Sequence, residues 1–406
     1  MNDFSKITQH GWLGRIGGAV KGMIAGLVLL IVALGLQFWN EGRTLQRNGV
    51  LSEARASVES VAAATPSASF EGRLVHVGGE ATATTPVTDE AFGVNVSALA
   101  LRRRVEMYQW HEKRERKEEK QLGGGTRTVT QYRYEQRWDD DAEDSSGFDQ
   151  ASTHVNPDAL PFEDETRHAD KVRLGGFVLA PEVAREIDGW KAVAADKIVL
   201  PPNLAVSFRA AGEWFTTSAD PEQPVVGDVR VRFDMVPAGP VSVIARQVGS
   251  LLTPQVSARG DALVLVERGE HSAKEMLDDA GSRNNKLSWV MRAVGFGLAW
   301  LGLGLLFKPL VVMADVVPVF GRLAGFGAGV VSALLAALIS LVGIGSGWLW
   351  YRPWALGLIL IPLVAGAVWW VRRKRVETPP PFAASGNELM PPPPPPPPPM
   401  SSPTRE

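Results

Sequence analysis

The chain has 406 residues, 42 basic and 44 acidic side chains, a formal net charge of -2 and no cysteine. Without cysteine there is no thiol nucleophile, zinc finger, iron–sulfur cluster or disulfide framework; near-balanced charge with no dominant basic stripe excludes nucleic acid as a partner. Four nearly charge-free stretches are each long enough to cross a hydrocarbon layer of about 30 Å at about 1.5 Å per helical residue, which excludes a wholly soluble protein.

Residues 1–21 carry Lys6, Arg15 and Lys21 against Asp3 alone and lead into the apolar run Gly22–Trp39. A basic lead before an apolar run also describes a cleaved signal peptide, with Ala33-Leu34-Gly35 as its one small-x-small site. The run's full length, and its close on Phe38 and Trp39 as interfacial anchors close a span, favour a first transmembrane helix over 22–39.

Residues 40–287 are hydrophilic, with an excess of acid over base, and much of their pattern alternates with a period of two. Leu99–Glu112 and Thr128–Trp138 read as strands joined through Gly123-Gly124-Gly125; Val229–Met235, Val241–Arg246 and Ala262–Glu267 follow the same pattern. Helical signals are Pro181–Ile187 and a run from Ala273 behind a Ser272/Glu275 capping box. This predicts one β-rich α+β domain, or two subdomains broken within Asp139–Asp149.

Three further apolar runs predict helices over 288–307, 323–348 and 354–371, with a loop at 308–322 and a turn at 349–353. Basic residues before the first span, Lys308 and Arg322 in the loop, and Arg372, Arg373, Lys374 and Arg375 after the last span place these segments in the cytoplasm. The Arg352 turn, ringed by Trp348, Trp350, Tyr351 and Trp354, falls on the opposite face with residues 40–287. The tail, 372–406, contains an unbroken run Pro391–Pro399 that adopts extended polyproline II and reads as a spacer before it reads as a groove ligand.

Several blocks carry a resemblance: Asn40-Glu41-Gly42-Arg43, Gly72-Arg73-Leu74-Val75-His76, the ten residues from Leu101 to Trp110, Val243-Ile244-Ala245-Arg246-Gln247 and Gly347-Trp348-Leu349-Trp350-Tyr351-Arg352-Pro353. From about residue 12 to 375 the sequence resembles the LUMA (transmembrane protein 43) family. The resemblance implies one amino-terminal span, a large luminal domain and three carboxy-terminal spans, with no established catalytic residue. It also implies self-association. Animal members bind lamins and emerin at the nuclear envelope, partners not carried over here. The Ala- and Gly-rich, cysteine-free composition and the proline run look like a bacterial member, with residues 40–287 periplasmic; a eukaryotic member would occupy the endoplasmic reticulum and inner nuclear membrane.

Candidate chemistry is sparse. His154, Asp158, Glu163, Asp164, Glu165 and His168 are types that ligate zinc or manganese, but their spacing matches no zincin helix, and Pro157 and Pro161 interrupt the backbone; a solvated loop is the simpler expectation. The acidic run Asp139–Asp144 lacks the central glycine and closing glutamate of a calcium loop. Arg102, Arg103 and Arg104 project to both faces of a strand, for pairing within the acidic domain or for a protein partner. No nucleophile elbow, phosphate loop or dinucleotide fingerprint occurs, so no catalytic, cofactor or metal residue is assigned.

In the membrane segments, glycines recur at four-residue intervals: Gly18, Gly22 and Gly26; Gly321, Gly325 and Gly329; Gly343 and Gly347. Such ladders let helix backbones approach, within one chain or between copies. No ionisable residue sits mid-span, so the spans carry no mark of an ion pathway. The sequence therefore points to a non-enzymatic membrane scaffold embedded in lipid, a homo-oligomer with an unidentified protein partner. The alternative is a membrane-tethered metal-dependent hydrolase using the His154 to His168 cluster.

Overall fold

The computed structural model describes residues 4–121, 123–257, 260–376 and 393–396. Residues 1–351 form one compact unit and 352–406 a second. The described part of the second unit is a helix, α4, Pro353–Val376, with Pro362 inside it, and residues 393–396. The expected proline-rich tail beyond Val376 otherwise lies outside the described residues.

In the first unit the long elements are α1, Trp12–Ser57; α2, Ala273–Ala314; and α3, Pro318–Trp350. All three are long and apolar enough to cross a membrane. With no proline between residues 12 and 57, α1 does not stop where its apolar run ends, but continues through the polar segment Asn40–Ser57. At about 1.5 Å per residue it is roughly 69 Å long, more than twice a hydrocarbon layer. α2 starts on the predicted capping box, with the Ser272 side chain and Glu275 each satisfying the other's backbone N–H. It runs antiparallel to α1: Arg55 pairs with Asp278 at one end, and the Trp12 indole donates to the Val312 carbonyl at the other.

Apolar side chains such as Ile24, Leu27, Ile31, Trp289, Leu301, Phe326 and Leu338 stay exposed on these helices. So large a bare apolar surface is stable only against lipid or another protein.

Two large sheets, beside two small two-stranded ones, are built from the interval between α1 and α2, and one strand from before α1 joins the first of them. The strands used below are β1, Phe4–His10; β2, Leu74–Ala83; β3, Ala98–Lys120; β4, Thr126–Asp139; β5, Glu165–His168; β6, Val229–Pro237; β7, Gly239–Val248; and β8, Leu265–Arg268. The first sheet runs β1-β4-β3-β6 and continues into Trp214–Thr216 and Arg209–Ala211, with β5 beside the start of β3. The second is centred on β7, which pairs with β8 and β2. β-branched residues carry this second sheet: Val75, Val77, Val241 and Val243 are wholly buried, each burial contributing about 1.5–3 kcal/mol.

The polar extension of α1 meets the second sheet in a further core, where Val50, Leu51 and Ala54 pack with Leu74, Ile244, Leu265, Met276 and Leu277. This contact holds the extension helical. The sheet is thereby mounted on the ends of α1 and α2 that project beyond the apolar run.

Candidate functional site

The residues of the alternative, metal-dependent reading are not brought together. His168 lies opposite Ala100 in the β3–β5 ladder. His154 instead stacks on Tyr134, with ring centroids 3.8 Å apart, and meets Trp110 edge-on at 4.5 Å. Ala100 and Trp110 are ten positions apart on β3, about 33 Å at about 3.3 Å per residue. Among the described residues no group of three or more His, Asp or Glu is arranged to hold a metal ion. Burial, with the nearby Arg185 charge, lowers the His168 pKa, which fits a packed imidazole.

The three consecutive arginines are paired within the domain. Arg102 donates to Asp234, its cross-strand partner on β6, at 2.9 Å and lies over Trp190. Arg104 meets the same carboxylate at 3.3 Å. Arg103 points to the other face, with only 7% of its side chain exposed, and reaches Asp89 at 2.5 Å and Glu165 at 3.2 Å. A buried guanidinium needs such partners because desolvation of an unpaired charge is costly.

The glycine ladders divide. A Cβ on Gly26 would lie 2.6 Å from the Gly302 carbonyl oxygen of α2, so α1 and α2 touch backbone to backbone there. Gly343 faces Gln37, and Gly347 faces Phe38 and Glu41, where α3 crosses α1. Gly22 and Gly325 have ordinary contacts, with Leu305 and Val311. Gly321 abuts Asp315, whereas Gly18 and Gly329 face open space. Sequence reasoning missed the partner glycines Gly295 and Gly302, whose seven-residue spacing on α2 was the available signal. Between the helices runs a polar lane: Gln37 with Ser340 of α3, Asn40 with Ser288, and Glu41 with Arg292 at 2.8 Å.

The run His111–Lys120, whose alternating charges read in the sequence as a charged extension of a hairpin or a short exposed helix, is strand: β3 is unbroken from Ala98 to Lys120. Beyond Met107, β3 leaves β6 and continues to Lys120 paired only with β4 in the sheet ladders. Its outer edge is closed for a short way, because Trp110 N–H donates to Asn156 Oδ1 at 2.7 Å and Asn156 Nδ2 donates back to the Trp110 carbonyl at 2.9 Å. The other edge of β4 is taken by β1, in register from Phe4↔Tyr132 to His10↔Thr126. The result is a three-stranded ribbon, β1-β4-β3. The period-two signal in Phe4–His10 is too short to stand out beside the basic segment that follows.

The ribbon's tip is fastened to the opposite ends of the helices from those that carry the second sheet. Gly123 and Gly124 turn with φ of +88° and +78°, a conformation that favours glycine, and a side chain on Gly124 would also collide with the Trp12 indole. Arg15 of α1 donates to the Gly124 carbonyl and, at 2.6 Å, to Asp315, which follows α2. Lys120 reaches the other Asp315 oxygen at 2.5 Å, and Gly123 N–H donates to the Val316 carbonyl. Burial pushes the Asp315 carboxyl up, but hydrogen bonds and charges from Lys120 and Arg15 outweigh it and hold the group below its ordinary range. Asp315 is 1% exposed, so this is a buried latch joining the amino-terminal segment, the hairpin tip and the α2–α3 turn.

Helices with bare apolar flanks, packed through glycine and carrying a β-rich domain on their projecting ends, define a membrane protein in which the described residues form no metal-binding cluster. Its sequence matches the family model for Transmembrane protein 43 over residues 107–353. It is 35% identical to "Transmembrane protein 43" of Rattus norvegicus over 373 residues, covering 88% of this chain and 92% of the relative. The human protein of the same name is 34% identical over 374 residues, with the same coverage of both chains. The Drosophila melanogaster "Transmembrane protein 43 homolog" is 31% identical over 356 residues, 85% of this chain and 93% of the relative. The chain belongs to the transmembrane protein 43 family. No solved structure matches it.

Proposed function

We propose that this chain is a non-enzymatic, self-associating membrane scaffold that presents its β-rich domain on the non-cytoplasmic face. Four spans, the fourth formed by 354–371, anchor it, with both termini cytoplasmic and residues 40–287 periplasmic in a bacterial inner membrane apart from the β3–β4 hairpin beyond Trp110, which runs back along the helices to Arg15 and Asp315. The observation that carries this is the mounting of the second sheet on the ends of α1 and α2 beyond their apolar runs, through the Val50, Leu51 and Met276 core. A domain held so rigidly to its anchor transmits position rather than diffusing on a tether.

Self-association is supported by the exposed apolar faces of the helices and by Gly18 and Gly329, where an added Cβ would meet none of the chain's own described atoms. The lamin and emerin partners of animal relatives form no part of this proposal.

Because the chain has no cysteine, single introduced thiols report cleanly. In intact spheroplasts, Glu222→Cys in an exposed loop of the domain reacts with an impermeant maleimide, and Arg322→Cys reacts only after lysis. The reverse pattern refutes the sidedness. Crosslinking in native membranes yields oligomers; a monomer under every condition refutes self-association.

A further inference from the structure

We propose that copies of this chain assemble with their β1-β4-β3 ribbons edge to edge, closing a water-lined passage for hydrophilic ions inside a wall of membrane helices. The assembly depends on the self-association proposed above and adds to it both an interface and an activity.

The ribbon is tied to the helices at both ends. Its tip is latched to Trp12, Arg15 and Asp315, on one side of the apolar run Gly22–Trp39. At its base, Leu99 and Ala100 join the core of the second sheet, which sits on α1 near Val50, on the other side of that run. The ribbon therefore passes the full apolar depth of α1. From His111 to Lys120, β3 has ten residues, the length of a membrane-crossing strand. Aromatic rings stand at both limits: Tyr108, Trp110, Tyr134 and Trp138 at the base and Trp12 at the tip, as interfacial anchors do.

Neither face of the ribbon suits lipid. One carries Arg114, Arg116, Glu118 and Lys120 beside Thr126, Thr128 and Thr130; the other carries Lys113, Glu115, Lys117 and Glu119 beside Arg127 and Gln131. Residues 113–120 and 4–10 are all exposed in the single chain. Among the described residues no strand pairs with the outer edge of β1, or with that of β3 beyond Trp110. Hydrocarbon tolerates neither open sheet edges nor charged strands, and only a closed arrangement satisfies both. A second copy is the occupant that fits, because each ribbon offers two unpaired edges at the same depth. β1 of one chain beside β3 of the next joins them, and repetition removes every edge. The helices, apolar outward, then separate the polar ribbons from lipid.

The test uses the purified full-length protein in liposomes, with its size measured in parallel. Expected are an oligomer, ion flux above that of empty liposomes, and a several-fold fall in flux when Glu115→Cys, Lys117→Cys or Glu118→Cys, on one or other face, is modified by a charged water-soluble thiol reagent. Charge reversal, Glu115→Lys with Glu119→Lys or Glu118→Lys alone, shifts anion-to-cation selectivity for the face that lines the water. When Thr8→Cys and Glu118→Cys chains are co-expressed, a short bis-maleimide joins one to the other. An oligomer that carries no flux overturns the passage and leaves the scaffold standing; a monomer overturns both.

Discussion

β3 is one unbroken strand with two halves in opposite surroundings. From Ala98 to Met107 it pairs with β6 along one edge, with β5 on the other beside Ala100–Arg103, and Val105 and Met107 are almost completely buried with Phe233. From Lys113 to Lys120 every residue is exposed, and charges occupy both faces. The first half is held by its own domain, whereas among the described residues the second is held by β4, by Arg114 donating to the Gly147 carbonyl, and by the latch at its tip. The burden of stability thus falls unevenly along a single strand: the base tolerates little change, and the exposed far half contributes little to the core.

Substitutions that distinguish the halves should differ greatly in effect. Phe233→Ala at the base costs about 3–5 kcal/mol, read as a lower denaturation midpoint in detergent, because it empties a buried ring site beside Phe92. A loss below about 1 kcal/mol would mean that the base is not the core it resembles. Asp89→Ala comes next, at about 3 kcal/mol, since it strips the closest partner from the buried Arg103.

The latch occupies the middle of the range. Asp315→Asn weakens the hold on Arg15 and Lys120 by about 2 kcal/mol, and faster proteolysis at Gly123–Gly125 reports the freed tip. The folded Asp315 carboxyl lies below its unfolded value, so its contribution is complete above about pH 4 and disappears as pH falls through the lower folded value. Protection of the tip should follow that course in the native protein and show no such acid step in Asp315→Asn.

Gly26→Leu, which drives a side chain into the Gly302 carbonyl, costs about 1–3 kcal/mol and loosens the α1–α2 pair, whereas Gly18→Leu leaves monomer stability unchanged. The smallest effect is at the exposed half of β3, where Lys117→Ala stays within about 0.5 kcal/mol. A large loss there would show that the far half is packed after all.

Much of the framework was legible locally. The capping box at Ser272 and Glu275, the apolar runs in α1, α2 and α3, and the alternation of Val229–Met235 all express short-range periodicity and end chemistry, which a sequence displays directly. The candidate sites were less legible. The His154 to His168 grouping is close in sequence, but its ends belong to different parts of the sheet, because Asn156 caps the β3 edge at Trp110 while β5 pairs near Ala100. Proximity along a loop does not fix where its two ends attach. The latch was invisible for the converse reason: Arg15, Lys120 and Asp315 are separated by hundreds of residues, and each alone looks like an ordinary flanking charge.

By itself the sequence determined which segments are apolar enough for a membrane, which alternate as strands and which family they compose, since these depend on neighbours within a few turns or a few strand positions. Only the tertiary structure decided that Phe4–His10 joins the sheet, that α1 carries its helix onward into the β-rich domain, and that a charged hairpin travels back along the apolar helices to meet Asp315. Those outcomes turn on pairing between segments distant in the chain, where hydrogen-bond closure and charge neutralisation choose the partner, and no local pattern records that choice.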